Sequence, residues 1–242
     1  MTRDEQKHAA AEAALEHVEP GATIGVGTGS TVAFFIEALG RLPSGRRPGA
    51  AVASSEATAS GLRLAGIPVV GLDSVGGGAR PGATPGETAL LPVYVDGADE
   101  VDPELRLIKG GGGAHAREKV LATASALFVC IVDEAKLVPR LGAFPVPLEV
   151  VPMAAAFVAV RVGRLGGRAA PRPGFVTDNG NAVLDVTGLD LSDPEGLEVE
   201  LSGIPGVLDC GIFARRRADV VLVGGDPVRR VASAGRHGGI AG

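Results

Sequence analysis

Short apolar runs alternate along this chain with longer stretches whose apolar residues recur at helical spacing, and that alternation predicts its elements. Residues 3–18 place Ala10, Ala14, Leu15 and Val18 on one helical face, and Pro20-Gly21 ends the segment. ATIGVG (22–27) reads as a strand running into a glycine-rich turn. STVAFFIEALG (30–40) reads as a helix with Ser30 as N-cap and Gly40 as its stop. AAVAS (50–54) is strand-like, 55–66 helical and IPVVGL (67–72) strand-like again, while the Gly/Pro-rich 75–90 reads as a surface loop. PVYVDG (92–97), a helix over 116–126 and the buried strand LFVCIVD (127–133) continue the series. Strands alternating with helices predict an α/β fold, a Rossmann-like, mostly parallel sheet with helices on both faces.

The pattern changes near Phe144. FPVPLEVVPM is rich in proline and β-branched residues and is followed by a helix over 154–167. A hairpin over 174–188 is built on Asp178-Asn179-Gly180-Asn181, then come a helix over 193–206 and the strand VLDCGIFA. This β-α-β-β-α-β order predicts a smaller ferredoxin-like α+β domain. ADVVLVGG (218–225) reads as a buried strand rejoining the first sheet, with a weakly ordered tail after Asp226. The expected division is residues 1–145 with 215–242 in one domain and 146–214 in the other.

Composition narrows the function. A hydrophobic share of 45% supports a sizeable core, and with 3% aromatics and no Trp that core is aliphatic. A net charge of −5 argues against a nucleic-acid partner, and the short runs Arg46-Arg47 and Arg215–Arg217 read as solvated surface. Cys130 and Cys210 suggest neither a disulfide framework nor a metal site. The polar N-terminus has no signal-like apolar region and no run is long enough to span a membrane, so a cytoplasmic protein is expected.

Two stretches carry candidate chemistry. GVGTGSTV (25–32) joins a strand to a helix, where free N–H groups and the Ser30 and Thr31 hydroxyls suit a phosphate. Alone it is equally a tight turn, and it completes neither a GxGxxG nor a Walker A pattern. Ser54-Ser55 leaves a strand at the same sheet edge, where ligands of such sheets bind. The second stretch is VDGADEVDPELRLIKGGGGAHAREK (95–119). Asp102-Pro103 reads as a solvated turn, but Asp96 and Asp99 directly follow an apolar strand at that edge. The glycines after Lys109 let backbone approach a ligand and lead into a helix carrying Arg117, Glu118 and Lys119. Carboxylates beside an ammonium and free amides suit proton transfer next to a carbonyl, as in sugar-phosphate isomerisation.

GVGTGSTV, the 95–119 stretch, DEAKLV, FPVPLEVVP, TDNGN and IPGVLDCGIF together resemble, in order, the motif series of the type A ribose-5-phosphate isomerase family over roughly residues 4–225. The resemblance implies interconversion of D-ribose 5-phosphate and D-ribulose 5-phosphate through an enediolate, with no cofactor and no metal. It implies Glu118 as the base between C2 and C1, Asp96 and Asp99 for ring opening and hydroxyl binding, and Lys109 with the amides of Gly110, Gly111 and Gly112 for the developing charge. Thr28, Gly29, Ser30 and Thr31 would hold the substrate, with Lys136 and Lys7 on its phosphate. The family also implies a homodimer or homotetramer whose partner is otherwise only the small sugar phosphate.

Against the family pattern, the 75–90 loop is long. His115 stands where an apolar residue is expected, reading as a surface histidine or a rim group bearing on pH dependence. A sugar-phosphate sensor would keep the phosphate loop without needing Glu118 or Lys109. An acyl-CoA-type transferase would need a glutamate nucleophile and a larger groove, and the incomplete glycine fingerprint disfavours a nicotinamide dehydrogenase.

Overall fold

The computed structural model describes residues 1–75 and 89–232, so most of the loop expected at 75–90 and the chain beyond Ala232 lie outside the described residues. Helix α1 (Arg3–Ala14) starts on a Thr2/Glu5 capping box and ends in a single 3-10 turn, Leu15–His17. It leads to β1 (Thr23–Val26), α2 (Ser30–Arg41), β2 (Ala50–Ala53) and α3 (Glu56–Leu64). Next come β3 (Leu91–Asp96), the short β4 (Glu100–Val101) and β5 (Leu107–Ile108), α4 (His115–Thr123) and β6 (Ser125–Val132). The next unit is β7 (Val146–Val150), α5 (Ala155–Arg164), β8 (Arg168–Pro171), β9 (Ala182–Thr187), α6 (Pro194–Ser202) and β10 (Val207–Cys210). The chain then passes through β11 (Ile212–Phe213), β12 (Val220–Val223) and β13 (Arg229–Ala232).

Six strands form the main sheet in the order β13-β12-β6-β3-β1-β2, parallel except for β13. Alternation along each strand divides the core. Val93, Val95, Val129 and Ile131 face α1, α2 and α3, while Tyr94, Phe128 and Cys130 face Leu121 and Ala122 of α4. With both faces covered, the strands read as continuous apolar runs. A fully buried side chain such as Phe35 or Phe128 contributes about 1.5–3 kcal/mol over leaving it in water. The second sheet, β10-β7-β9-β8, is antiparallel and carries α5 and α6, the strand order expected of a ferredoxin-like module. A small sheet, β11-β5-β4, links the two.

Several expectations are corrected. The N-cap of α2 is Gly29, at φ 120, with Ser30 as first helical residue, and the helix runs one residue past Gly40. Residues 67–72 make a single bridge, Ala51 to Val69, because Pro68 has no N–H to donate and the segment turns off into a 3-10 turn at Leu72. The hairpin partner of β9 is β8, so Asp178–Asn181 forms a tight turn inside a longer connection. The tail does not stray at once after Asp226: β13 pairs along the whole of β12. Nor are the arginine runs simply solvated. Arg47 donates to the carbonyls of Gly40 and Leu42 at the end of α2, and Arg216 to those of Ala122 and Ser125 and to Asp219.

Candidate active site

The chain leaves β1 toward β2 on one side and returns to β3 on the other, so a crevice opens where the strand order reverses, at the carboxyl ends of β1 and β3. Asp96, the last residue of β3, stands there fully buried. Its Oδ1 accepts from the N–H groups of Thr28 (3.0 Å) and Gly97 (2.7 Å). Its Oδ2 accepts from the Tyr94 hydroxyl and lies 2.7 Å from Lys109 Nζ. Gly27 is glycine of necessity, because a Cβ there would sit 1.9 Å from the Asp96 carboxyl.

Lys109 follows β5 and is as buried as Asp96. Its ammonium also donates to the Gly97 carbonyl at 2.5 Å and lies 3.1 Å from Glu118 Oε2. Burial works against its charge, but the Asp96 and Glu118 carboxylates outweigh burial and raise its pKa. Glu118 sits in the first turn of α4 with its side chain 4% exposed. The contact with Lys109 is misaligned for a hydrogen bond, so Oε2 is buried without a hydrogen-bond partner. Burial first, then the Asp96 charge, push the Glu118 pKa up to about 8, against the pull of Lys109. Of the three carboxylates, Asp96 has donors on both oxygens and half-buried Asp99 accepts from Gly111 N–H at 2.8 Å. Glu118 alone keeps a buried oxygen with no hydrogen bond, which suits it to take up a proton.

Beside this cluster, the Thr28 hydroxyl joins those of Ser55 and Thr58, and Thr58 donates to the Gly27 carbonyl at 2.6 Å. No side chain caps α2, so the exposed Gly29 and Ser30 offer its first-turn N–H groups to solvent or to an anion. Half-buried Lys136 lies in the 3-10 turn after β6 and makes no ion pair with a described residue. Gln6 of α1 accepts from Glu134 N–H in that turn, which sets α1 against it, but Lys7 is turned to Asp4, 3.2 Å away. Thus Asp96, Asp99, Lys109, Glu118, Thr28 and Gly111 converge, whereas Lys7 is engaged elsewhere.

Two surroundings depart from expectation. Asp102-Pro103 turns, but Asp102 is buried and accepts from the N–H groups of Glu104 and Arg106 and from the Arg106 guanidinium. His115 is neither a surface nor a rim group. It is fully buried under the second unit, with Nε2 3.3 Å from the Asp209 carbonyl. It packs beneath Gly110, at φ +105, where a Cβ would sit 2.7 Å from His115 Nδ1, so glycine leaves the ring its room. Burial, then the Lys119 charge, hold the His115 pKa down at about 3. A histidine neutral when folded and protonated when unfolded binds its extra proton in the unfolded state, so its contribution to stability falls as pH drops below 6.5. His115→Leu is therefore expected to shrink the loss of Tm between about pH 7 and about pH 5. An undiminished loss would contradict it. Ser55 stands at the sheet edge where the sequence places it, whereas Tyr94, Thr58 and Arg172, which donates to the Gly110 and Gly111 carbonyls, carry no site signal in the motifs. The only signal for Tyr94 is that it is the chain's one tyrosine. Among the described residues, no group of three or more His, Cys, Asp and Glu side chains is placed to hold a metal, and no helix is long and apolar enough to cross a membrane.

Comparison with known proteins agrees with this arrangement. Residues 50–227 match the family described as Ribose 5-phosphate isomerase A (phosphoriboisomerase A). The chain is 52% identical over 224 residues to the Ribose-5-phosphate isomerase A of Acidithiobacillus ferrooxidans, covering 93% of this chain and 95% of that one. It superposes on the crystal structure of ribose 5 phosphate isomerase A from Neisseria gonorrhoeae with a TM-score of 0.88 at 45% identity, covering 97% and 99% of the two chains. A D-ribose-5-phosphate isomerase structure in complex with phospho-erythronic acid gives a TM-score of 0.87 at 38% identity, covering 96% of this chain and 100% of that one. With sequence and fold matched over nearly the full length, the chain belongs to the ribose 5-phosphate isomerase A family.

Proposed function

We propose that this chain interconverts D-ribose 5-phosphate and D-ribulose 5-phosphate by proton transfer through an enediolate, without a cofactor. The observation that carries the reading is the buried Glu118–Lys109–Asp96 cluster at the crevice where the strand order reverses. In this mechanism Glu118 takes the proton from C2 of the open-chain aldose, the C2–H electron pair forms the enediolate double bond, and the carbonyl electrons move onto O1. The O2–H proton then passes to O1, the O2–H electron pair forms the C2 carbonyl, and the enediolate double-bond pair takes the proton back from the same carboxyl at C1. When Glu118 is protonated, its pairing with Lys109 weakens and the ammonium field, with the glycine-loop amides, is left to stabilise the enediolate oxygens. Asp96 and Asp99 hold hydroxyls and assist ring opening. The uncapped start of α2, with Thr28 to Thr31, takes the substrate, and Lys136 its phosphate. Lys7 reaches the phosphate only by leaving Asp4.

We read residues 1–145 with 215–242 as the catalytic domain and 146–214 as the smaller one, a division supported by the separate six- and four-stranded sheets, with β11 of the smaller domain pairing across it to β5. Assembly as a homodimer or homotetramer is supported by the exposed Met153, Phe157 and Val160. A cytoplasmic location, in the non-oxidative pentose phosphate pathway, fits this activity.

Incubation with D-ribose 5-phosphate in heavy water, followed by proton NMR, tests the reaction. Ribulose 5-phosphate carrying deuterium at C1 is the expected product. No product from folded protein that still binds the sugar phosphate would instead favour a sensor. Lys136→Ala is expected to raise KM by about tenfold or more, the order of a lost charged contact, with kcat within about twofold. An unchanged KM would remove Lys136 from the phosphate site.

A further inference from the structure

The carbonyls of the glycine loop are held by the second unit. Arg172, the residue after β8, donates from Nη1 to the Gly111 carbonyl at 3.0 Å and from Nη2 to the Gly110 carbonyl at 3.2 Å. Its guanidinium is fixed by a bidentate pair with Asp185 of β9, at 2.9 and 2.6 Å, and lies over the Phe175 ring. The Arg172 N–H donates to the Val183 carbonyl at 2.9 Å, which anchors the residue in the sheet. Its side chain is only 17% exposed.

A trans peptide is planar, with C=O and N–H pointing in opposite directions. The peptide whose Gly110 carbonyl faces Arg172 therefore aims its Gly111 N–H away from Arg172, and that N–H does meet Asp99 at 2.8 Å. The next peptide, with its Gly111 carbonyl on Arg172, turns the Gly112 N–H to the same side, where no described protein group accepts from it. Gly112 is exposed there, against Thr28. The Gly110 carbonyl is also held within the loop, by the Gly113 N–H at 2.9 Å, whereas among the described residues the Gly111 carbonyl accepts from Arg172 alone. A glycine peptide holds such an orientation weakly by itself, since it lacks the side-chain restriction that would fix it.

From this we infer that Arg172, set by Asp185, is a positioning residue that holds the Gly111 amide on Asp99 and turns the free Gly112 amide toward the reacting oxygens. The inference rests on the isomerase reading, because it assigns the Gly112 amide to the enediolate. The Arg172 guanidinium is taken up by the two carbonyls and Asp185, so its loss should act on kcat more than on KM.

The test uses the full chain, with Arg172→Met and Arg172→Lys beside wild type. Arg172→Met is expected to lower kcat by about 10- to 100-fold, the scale of a misplaced oxyanion donor, with KM within about twofold. Affinity for phospho-erythronic acid, whose carboxylate imitates the enediolate charge, should fall by a similar factor, while affinity for inorganic phosphate holds. Arg172→Lys keeps the charge but cannot span two carbonyls and Asp185 at once, so it should fold as wild type and still lose about tenfold in kcat. Millimolar guanidinium should restore part of the Arg172→Met rate. Wild-type kcat in both variants, or a loss shared equally by phospho-erythronic acid and phosphate, would overturn the inference. A wild-type chain with no turnover would sink the isomerase reading instead. Amide NMR then decides the positioning claim alone: Gly111 and Gly112 N–H shifts unchanged in Arg172→Met would overturn it, and shifts confined to those amides would support it.

Discussion

Glu118→Gln is expected to lower kcat by about 10³-fold, within the 10²–10⁴-fold range that a positioned base supplies, and to leave KM within a few-fold. Glutamine fills the same buried volume at the head of α4 but cannot accept the carbon-bound proton. Asp96 is poorly placed to substitute, because both of its oxygens are already engaged by Thr28, Gly97, Tyr94 and Lys109. The wild-type pH profile carries the same signature. Only ionised Glu118 can act as base, and burial with the Asp96 charge raises its pKa to about 8. In the free enzyme kcat/KM should therefore go on rising with pH through the neutral range, falling about tenfold per unit below the apparent pKa, rather than levelling off just above an ordinary glutamate's range. Steady-state rates of ketose formation across pH check both statements. A Gln variant that retains near wild-type turnover would end the assignment of Glu118 as base.

What could be read from the sequence depended on how local its cause was. The exit of β3 was legible because an apolar run ends directly in Asp96 and Asp99, and a buried parallel strand has no use for carboxylates unless they face a crevice. Lys109 and Glu118 were legible through the motif they share with a family, but not their mutual burial. The site's supports were hidden by distance along the chain. Arg172 meets Gly110 from 62 residues away, and Asp209 meets His115 from 94, so the segment around His115 reads as a loop-to-helix junction with nothing above it. Glu100 is buried for the same reason, because it accepts from the Gly142 and Phe144 N–H groups well downstream. Strand β13 was missed because its Arg229 and Arg230 are exposed, the charged pattern that keeps an edge strand from pairing further.

Lys109→Met is expected to damage stability and activity together, and its pH dependence separates this outcome from simple loss of packing. Among the described residues, the ion pairs of Asp96 and of Glu118 are both with Lys109. Methionine fills the stem's volume but leaves two carboxylates buried against each other, a situation that costs about 3–5 kcal/mol when one partner of a buried pair is removed. One relief is open to the folded chain, which is to protonate Glu118. Lys109 pulls the Glu118 pKa down, so without it that pKa rises further above the ordinary 4.5. The folded variant then binds a proton that the unfolded chain has released, so its stability falls as pH rises above about 4.5 and until the folded pKa is passed. The Tm deficit against wild type should accordingly be larger at about pH 9 than at about pH 6. Turnover should fall by about 10²-fold or more at either pH, since neither the oxyanion field nor an ionised Glu118 survives the change. In the double variant Lys109→Met/Glu118→Gln the like-charge contact is gone, so most of the Tm should return while activity stays lost. A deficit that is flat in pH, or a double variant no more stable than Lys109→Met, would mean that Lys109 contributes packing and not the charge that lets two buried carboxylates coexist.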